Sequence, residues 1–301
     1  MAKKKQSSLT RMFLEMVLII GAVVWLSTLL WQQVKPGPTV SLPPVTDPVE
    51  SSSESAPLPP APTEFTIPED ASGEEAIRLY AEHNGLKVED YALDIPGYPE
   101  KLYEAYEKSP EARDFILRAP LEYGKTHTVD MSEFQNTEGV PLFMQWDDRW
   151  GYTKYAYGLG GVTGCGPTCL AMVAYYYTRD PEMSPDNMMR FAEENHYIGV
   201  EGGTEWILFS QGGKKLGLDV KEVPLDKNVL MRKLEAGIPV VCHVGPCLFT
   251  TTGHYIVLTG CKDGKILVND PNSVSLSQRG CTYEEIEEAI HNMWAITKAE
   301  E

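Results

Sequence analysis

A domain of mixed helix and strand held behind an N-terminal apolar anchor is the fold class the sequence predicts, and three observations predict it. Met12–Trp31 is a twenty-residue run with a single charge, Glu15, and a Pro/Ser-rich tract follows it. Thr168–Thr178, directly after Gly164-Cys165-Gly166-Pro167, is apolar or aromatic on nearly every helical face, the pattern of a buried helix. His254–Gly260 and Ile266–Val268 are apolar strand-like runs joined by a turn-rich stretch, the pattern of a hairpin.

The chain has 301 residues, 43% hydrophobic and 23% charged, which is globular composition with length enough for a sizeable core. Its net charge of −17 hides an asymmetry. Residues 1–35 hold five Lys/Arg and one acidic residue, so the remaining 266 residues carry 21 positive and 42 negative charges. Such a body has no basic footprint, which excludes nucleic acid as a partner.

Taken in order, residues 1–11 form a cytoplasmic tail, because Lys3, Lys4, Lys5 and Arg11 keep this end inside. At 1.5 Å per residue, residues 12–31 reach about 30 Å, the thickness of the hydrocarbon core. Trp25 and Trp31 lie toward the far end, where indoles favour the interface. A cleaved signal peptide is the rival reading, but the run is long for an h-region and no small-x-small site follows. The expectation is a single-pass, uncleaved anchor in the cell membrane, with the chain beyond it extracytoplasmic. Residues 32–70 contain ten of the 22 prolines and no apolar period, so they read as a Pro/Ser linker.

Residues 71–137 read as a small helical segment. Ser72-Gly73-Glu74-Glu75 has the form of a capping box, and Asn84-Gly85 stops the helix it opens. A second helix starts at Pro99, with Leu102, Tyr103 and Tyr106 on its apolar face. A third follows a Ser109 cap and Pro110, with Phe115 and Ile116 inward. Helices this short need tertiary support. The expectation is a flap packed on the domain that follows, with an inhibitory prosegment as the alternative. Residues 138–301 have the composition of a dense domain.

Within that domain Cys165 stands between two glycines just before a buried helix. A helix N-terminus favours a thiolate and lowers the thiol pKa. Cys169, one turn on, reads as a small core hydrophobe. A thiolate nucleophile needs a base, and six histidines are available. His83 and His127 lie outside the dense domain, His196 at a polar helix end, and His291 in a charged C-terminal helix. His243 suits a strand core, whereas His254 opens an apolar strand and is mounted at its edge. Asp270 lies 16 residues beyond His254. A loop of odd length, Gly260 to Gly264 centred on Lys262, sets the two opposite each other with Cβ atoms about 5 Å apart. A two-residue Asp263-Gly264 turn sends Asp270 to the other face unless a bulge restores it. Gln145 supplies an amide able to donate to an oxyanion.

Two further features carry less. Glu201-Gly202-Gly203-Thr204-Glu205-Trp206 reads as a Gly-rich loop with Thr204 capping a helix, and lining a substrate cleft is its second reading. Cys242, Cys247, Cys261 and Cys281 contain no Cys-x-x-Cys pair, so no structural zinc, and no cofactor, is expected; one disulfide stays open.

The order Gln145…Gly164-Cys165-Gly166-Pro167-Thr168…Gly253-His254-Tyr255-Ile256-Val257…Asn269-Asp270-Pro271-Asn272 resembles the double-glycine (bacteriocin-leader) peptidase-like family of the papain-like cysteine peptidases. Tyr98-Pro99-Glu100 and Ser109-Pro110-Glu111 resemble the N-terminal region of its membrane-anchored Gram-positive members. The resemblance implies an α+β fold, with a helical half carrying Cys165 against an antiparallel sheet carrying His254 and Asp270. It implies Cys165 as nucleophile, His254 as general base, Asp270 as orienting acid and Gln145 as oxyanion donor. The expected function is hydrolysis of a peptide or amide bond in a peptide or protein substrate, with cell-wall peptides and secreted proteins both open. A catalytically silent surface binding module and a papain-like acyl transferase are the alternatives.

Overall fold

The computed structural model describes residues 65–299, apart from residue 201. The expected tail and anchor, and the expected linker up to residue 64, lie outside the described residues. Among the described residues no helix is long and apolar enough to cross a membrane.

The helical segment consists of α1 (Gly73–Asn84), α2 (Glu100–Lys108) and α3 (Arg113–Glu122). Ser72 Oγ accepts from the Glu75 N–H at 3.2 Å, and Gly85 ends α1 at φ +69°. Ser109 does not cap α3. Pro110–Ala112 forms a separate 3-10 turn, and the Ser109 hydroxyl instead accepts from Asn272 Nδ2 at 2.9 Å. Ile77, Leu102, Phe115 and Ile116 share one core with Tyr152 and Leu159 of the following domain. The Phe115 ring stacks on Tyr152, with centroids 4.3 Å apart. A Cβ at Gly161 would fall 2.3 Å from Phe115, so only glycine lets the turn before Cys165 meet α3 this closely.

α4 (Cys165–Thr178) is the buried helix, and Gly166 through Tyr175 are all buried. It begins at Cys165 itself, with Pro167 inside the first turn, where a missing N–H removes no intrahelical bond. α5 (Pro185–Glu194) follows it. The sheet has five strands: β1 (Leu218–Glu222), β2 (Val240–Val244), β3 (His254–Lys262), β4 (Lys265–Asn269) and β5 (Ile290–Lys298). All pairs are antiparallel, in the order β1-β5-β2-β3-β4. α6 (Lys227–Glu235) precedes β2, and α7 (Val274–Arg279) follows β4. Val241, Tyr255, Val257 and Trp294 share a core with α4. Cys242, Ile256, Leu258 and Met293 pack on the opposite side with Leu230 and Leu234 of α6. His291 is therefore on a strand, not in a C-terminal helix. β5 lies between β1 and β2, and its Met293–Ile296 run is buried on both faces.

The β3–β4 loop is not odd in length. Lys262 pairs with Lys265, and the turn is Asp263-Gly264, at φ +51° and +78°. Asp-Gly readily takes the positive φ values that a two-residue hairpin turn requires, so local turn chemistry decides the loop. His254 and Asp270 are brought to one side further along the hairpin. A register shift between Leu258 and Gly260 sets Val257 opposite Asn269. The extra residue on β3 reverses the parity, so His254 and Asp270 come to the same side as diagonal neighbours rather than direct partners.

Candidate active site

The site sits where the start of α4 meets the start of β3. Cys165 is half-buried, and its sulfur is approached by the His254 imidazole and by the backbone N–H groups of Tyr255 and Gly166. Burial disfavours the thiolate, but the His254 hydrogen bond and charge, with the two amides, outweigh it and hold the thiol below its ordinary range. For His254 burial disfavours the cation, while hydrogen bonds to Asp270 and Cys165 outweigh that and hold the imidazole above its ordinary range. Both directions favour the charged forms, the thiolate and the imidazolium.

His254 Nε2 donates to Asp270 Oδ1 at 2.8 Å, which leaves Nδ1 for the sulfur. Asp270 is fully buried. Its Oδ1 also accepts from the Asn272 N–H at 2.8 Å, and its own N–H donates to Ser277 Oγ at 2.9 Å. Backbone and side chain are thus both fixed by the turn that runs into α7.

Gln145 is buried and ties the two halves of the site together. Its backbone N–H donates to the Pro271 carbonyl at 2.7 Å, and its Nε2 donates to the Gly161 carbonyl at 3.0 Å. Gly161 lies in the helical turn Gly160–Thr163 that leads to Cys165. An amide nitrogen carries two hydrogens, so one is left over from that bond. Trp146 Nε1 donates to the Asn272 carbonyl at 3.0 Å and braces the same turn.

Thr204 is not a helix cap. Its hydroxyl is 2.7 Å from Tyr155 Oη, and its carbonyl accepts from Tyr255 Oη at 2.8 Å. A Cβ at Gly166 would fall 2.6 Å from Thr204 Oγ1, so the Gly-rich loop presses on the first turn of α4. This contact was hidden in the sequence because its partners lie far apart along the chain. Val200 and Trp206 of the same loop, and Tyr157 nearby, are exposed apolar groups. His243 is half-buried against Tyr255, with ring centroids 4.7 Å apart. Burial, aided by His291 and His254, lowers its pKa to about 4, so the ring is neutral at neutral pH. Burial pushes the Cys169 and Cys242 thiols up, and that of Cys281 up to about 12. All six cysteines are free thiols.

Residues 137–301 match the model of the Peptidase_C39-like family. The chain belongs to that family. No curated protein matches it significantly. Among solved structures it is similar to the peptidase domain of Streptococcus ComA, described as a bifunctional ABC transporter involved in a quorum-sensing pathway. That likeness has 21% identity over 54% of this chain and 99% of that one, with a TM-score of 0.37. It is also similar to a double-glycine motif protease from an AMS/PCAT transporter, solved in complex with the leader peptide. There the identity is 20% over 55% of this chain and 96% of that one, with a TM-score of 0.35. The C39-like region begins at residue 137, so the helical segment lies outside the match.

Proposed function

We propose that this chain is a cysteine peptidase that hydrolyses a peptide or amide bond through an acyl-enzyme on Cys165. The observation that carries the reading is His254 held between two partners, Asp270 at 2.8 Å through Nε2 and Cys165 at the helix start. In the reaction the Cys165 thiolate attacks the substrate carbonyl carbon. The resulting oxyanion accepts from the Cys165 backbone N–H and Gln145 Nε2. The His254 imidazolium gives its Nδ1 proton to the leaving amine as the C–N bond breaks, leaving a thioester. Neutral His254 then takes a proton from water, whose oxygen attacks the thioester. The acid product leaves, and the thiolate–imidazolium pair is restored. Asp270 holds the ring in place and favours its cation throughout.

An extended peptide or protein segment suits the exposed apolar groups Tyr157, Val200 and Trp206 beside Thr204. The proposal places the domain outside the cell membrane, on an uncleaved anchor at residues 12–31. The basic residues before that run and the Pro/Ser tract after it support this topology. The test is a thiol-reactive activity probe on the detergent-solubilised full chain, then profiling on a peptide library with and without added amines. Labelling at Cys165 and products with new free carboxyl termini are expected. No labelling and no turnover would leave a binding module, and amine-capped products a transferase.

A further inference from the structure

The helical segment reaches the turn beside Asp270 through Glu111 and Ser109. Glu111, in the 3-10 turn between α2 and α3, directs its carboxylate at the start of α7. Oε1 accepts from Ser273 Oγ at 2.7 Å, Ser275 Oγ at 2.7 Å and the Ser275 N–H at 3.2 Å. Oε2 accepts from the Val274 N–H at 2.8 Å. Two residues earlier, Ser109 Oγ accepts from Asn272 Nδ2 at 2.9 Å. Asn272 is the residue whose N–H holds Asp270 Oδ1, and Ser277 of α7 holds the Asp270 N–H. The chain of contacts therefore runs from Glu111 through the first turn of α7 to both ends of Asp270.

We propose that Glu111 is a positioning residue for Asp270. Its carboxylate clamps Ser273–Ser275, and the turn so fixed holds Asp270 Oδ1 against His254 Nε2. The inference rests on the cysteine-peptidase reading. It makes the helical segment a working part of the site rather than a removable prosegment. The geometry suits the task. α7 has only six residues, too few to be stable alone, and its free N–H groups need an acceptor. A carboxylate there satisfies them and is favoured by the helix field. Those donors outweigh burial and keep the Glu111 carboxyl below its ordinary range, so the clamp is ionised at neutral pH.

The test compares Glu111→Ala and Glu111→Gln with the wild-type full chain, reading kcat, KM, melting temperature and the pH dependence of Cys165 alkylation. Release of the turn lets Asp270 drift, which weakens the imidazolium and hence the thiolate. Glu111→Ala is expected to lower kcat about tenfold to a hundredfold with KM changed less than about threefold, since small misplacements act on the chemical step. The acid limb of alkylation should move up by about one pH unit, which weaker ion pairing at Cys165 produces and looser packing alone does not. Glu111→Gln keeps the size and one acceptor oxygen, so it should fold normally and show a smaller shift in the same direction. Unchanged kcat and alkylation in both variants would overturn the inference. So would equal kcat losses in the two that track melting temperature with the alkylation limb unmoved. A wild-type chain whose Cys165 titrates as an ordinary thiol would overturn the peptidase reading itself, and the Glu111 role with it.

Discussion

Cys165→Ala is expected to reduce turnover about 10⁶-fold, to the limit of detection, while the protein keeps a cooperative melt. The size of the loss follows from covalent catalysis. Without the sulfur no acyl-enzyme forms, and what remains is binding plus oxyanion donors acting on a water reaction. The fold should not suffer, because Cys165 is half-buried at the first position of α4 and alanine is a good helix former. With no thiolate beside it, His254 keeps Asp270 as its partner at 2.8 Å, so no unpaired charge is left buried. Turnover by the full chain and by this variant, measured on the same cleaved peptide, checks the expectation. Residual activity above about one hundredth of wild type would move the nucleophile elsewhere.

Asp270→Ala has the second largest expected effect, a fall in kcat of about 10²–10⁴-fold, the usual worth of a positioned acid–base group. The carboxylate does two things: it orients His254 through Nε2 and it favours the imidazolium. Asp270→Asn should lose less, because an amide oxygen can still accept from Nε2 and from the Asn272 N–H, and Cys-His-Asn arrangements use such an amide. The alanine variant also leaves the buried His254 Nε2 without its acceptor, at a cost of about 1–3 kcal/mol, and frees the half-buried Asn272 N–H. Its melting temperature should therefore fall, with the transition still cooperative. Steady-state kinetics with thermal melts on both variants separate the two losses. Full activity in Asp270→Ala would remove the carboxylate from the mechanism.

The parts of the site that could be read from sequence are those that local pattern carries. Cys165 between glycines at the head of an apolar helix, and His254 at the head of an apolar strand, stand out because each is announced by its own neighbours. Asp270 needed a spatial argument. His254 and Asp270 meet as diagonal neighbours rather than directly across a loop of odd length, since Asp263-Gly264 forms the short turn and the bulge after Leu258 restores the side. Nothing local marks that bulge. Ser109 illustrates a second kind of miss. Serine before proline has the form of a cap, yet its hydroxyl is taken by Asn272, 163 residues away. Thr204 likewise serves Tyr155 and Tyr255 rather than a helix. His291 was drawn into a helix by the acidic residues before it, although Ile290–Lys298 fills the gap between two strands. Long-range partners decide these cases, and single-sequence patterns do not contain them.

Cys165 and His254 are proposed to form an ion pair in the free protein. The rate of Cys165 alkylation by iodoacetamide against pH, in wild type and His254→Ala, tests it most directly. Rapid alkylation of Cys165 before the other five thiols is expected, with an acid limb below the ordinary thiol value of about 8.5. The ion-paired form should persist above the ordinary imidazole value of about 6.5, because His254 is shifted up. In His254→Ala the limb should return toward the ordinary thiol value. A single titration near that value in wild type, unmoved by His254→Ala, would contradict the account.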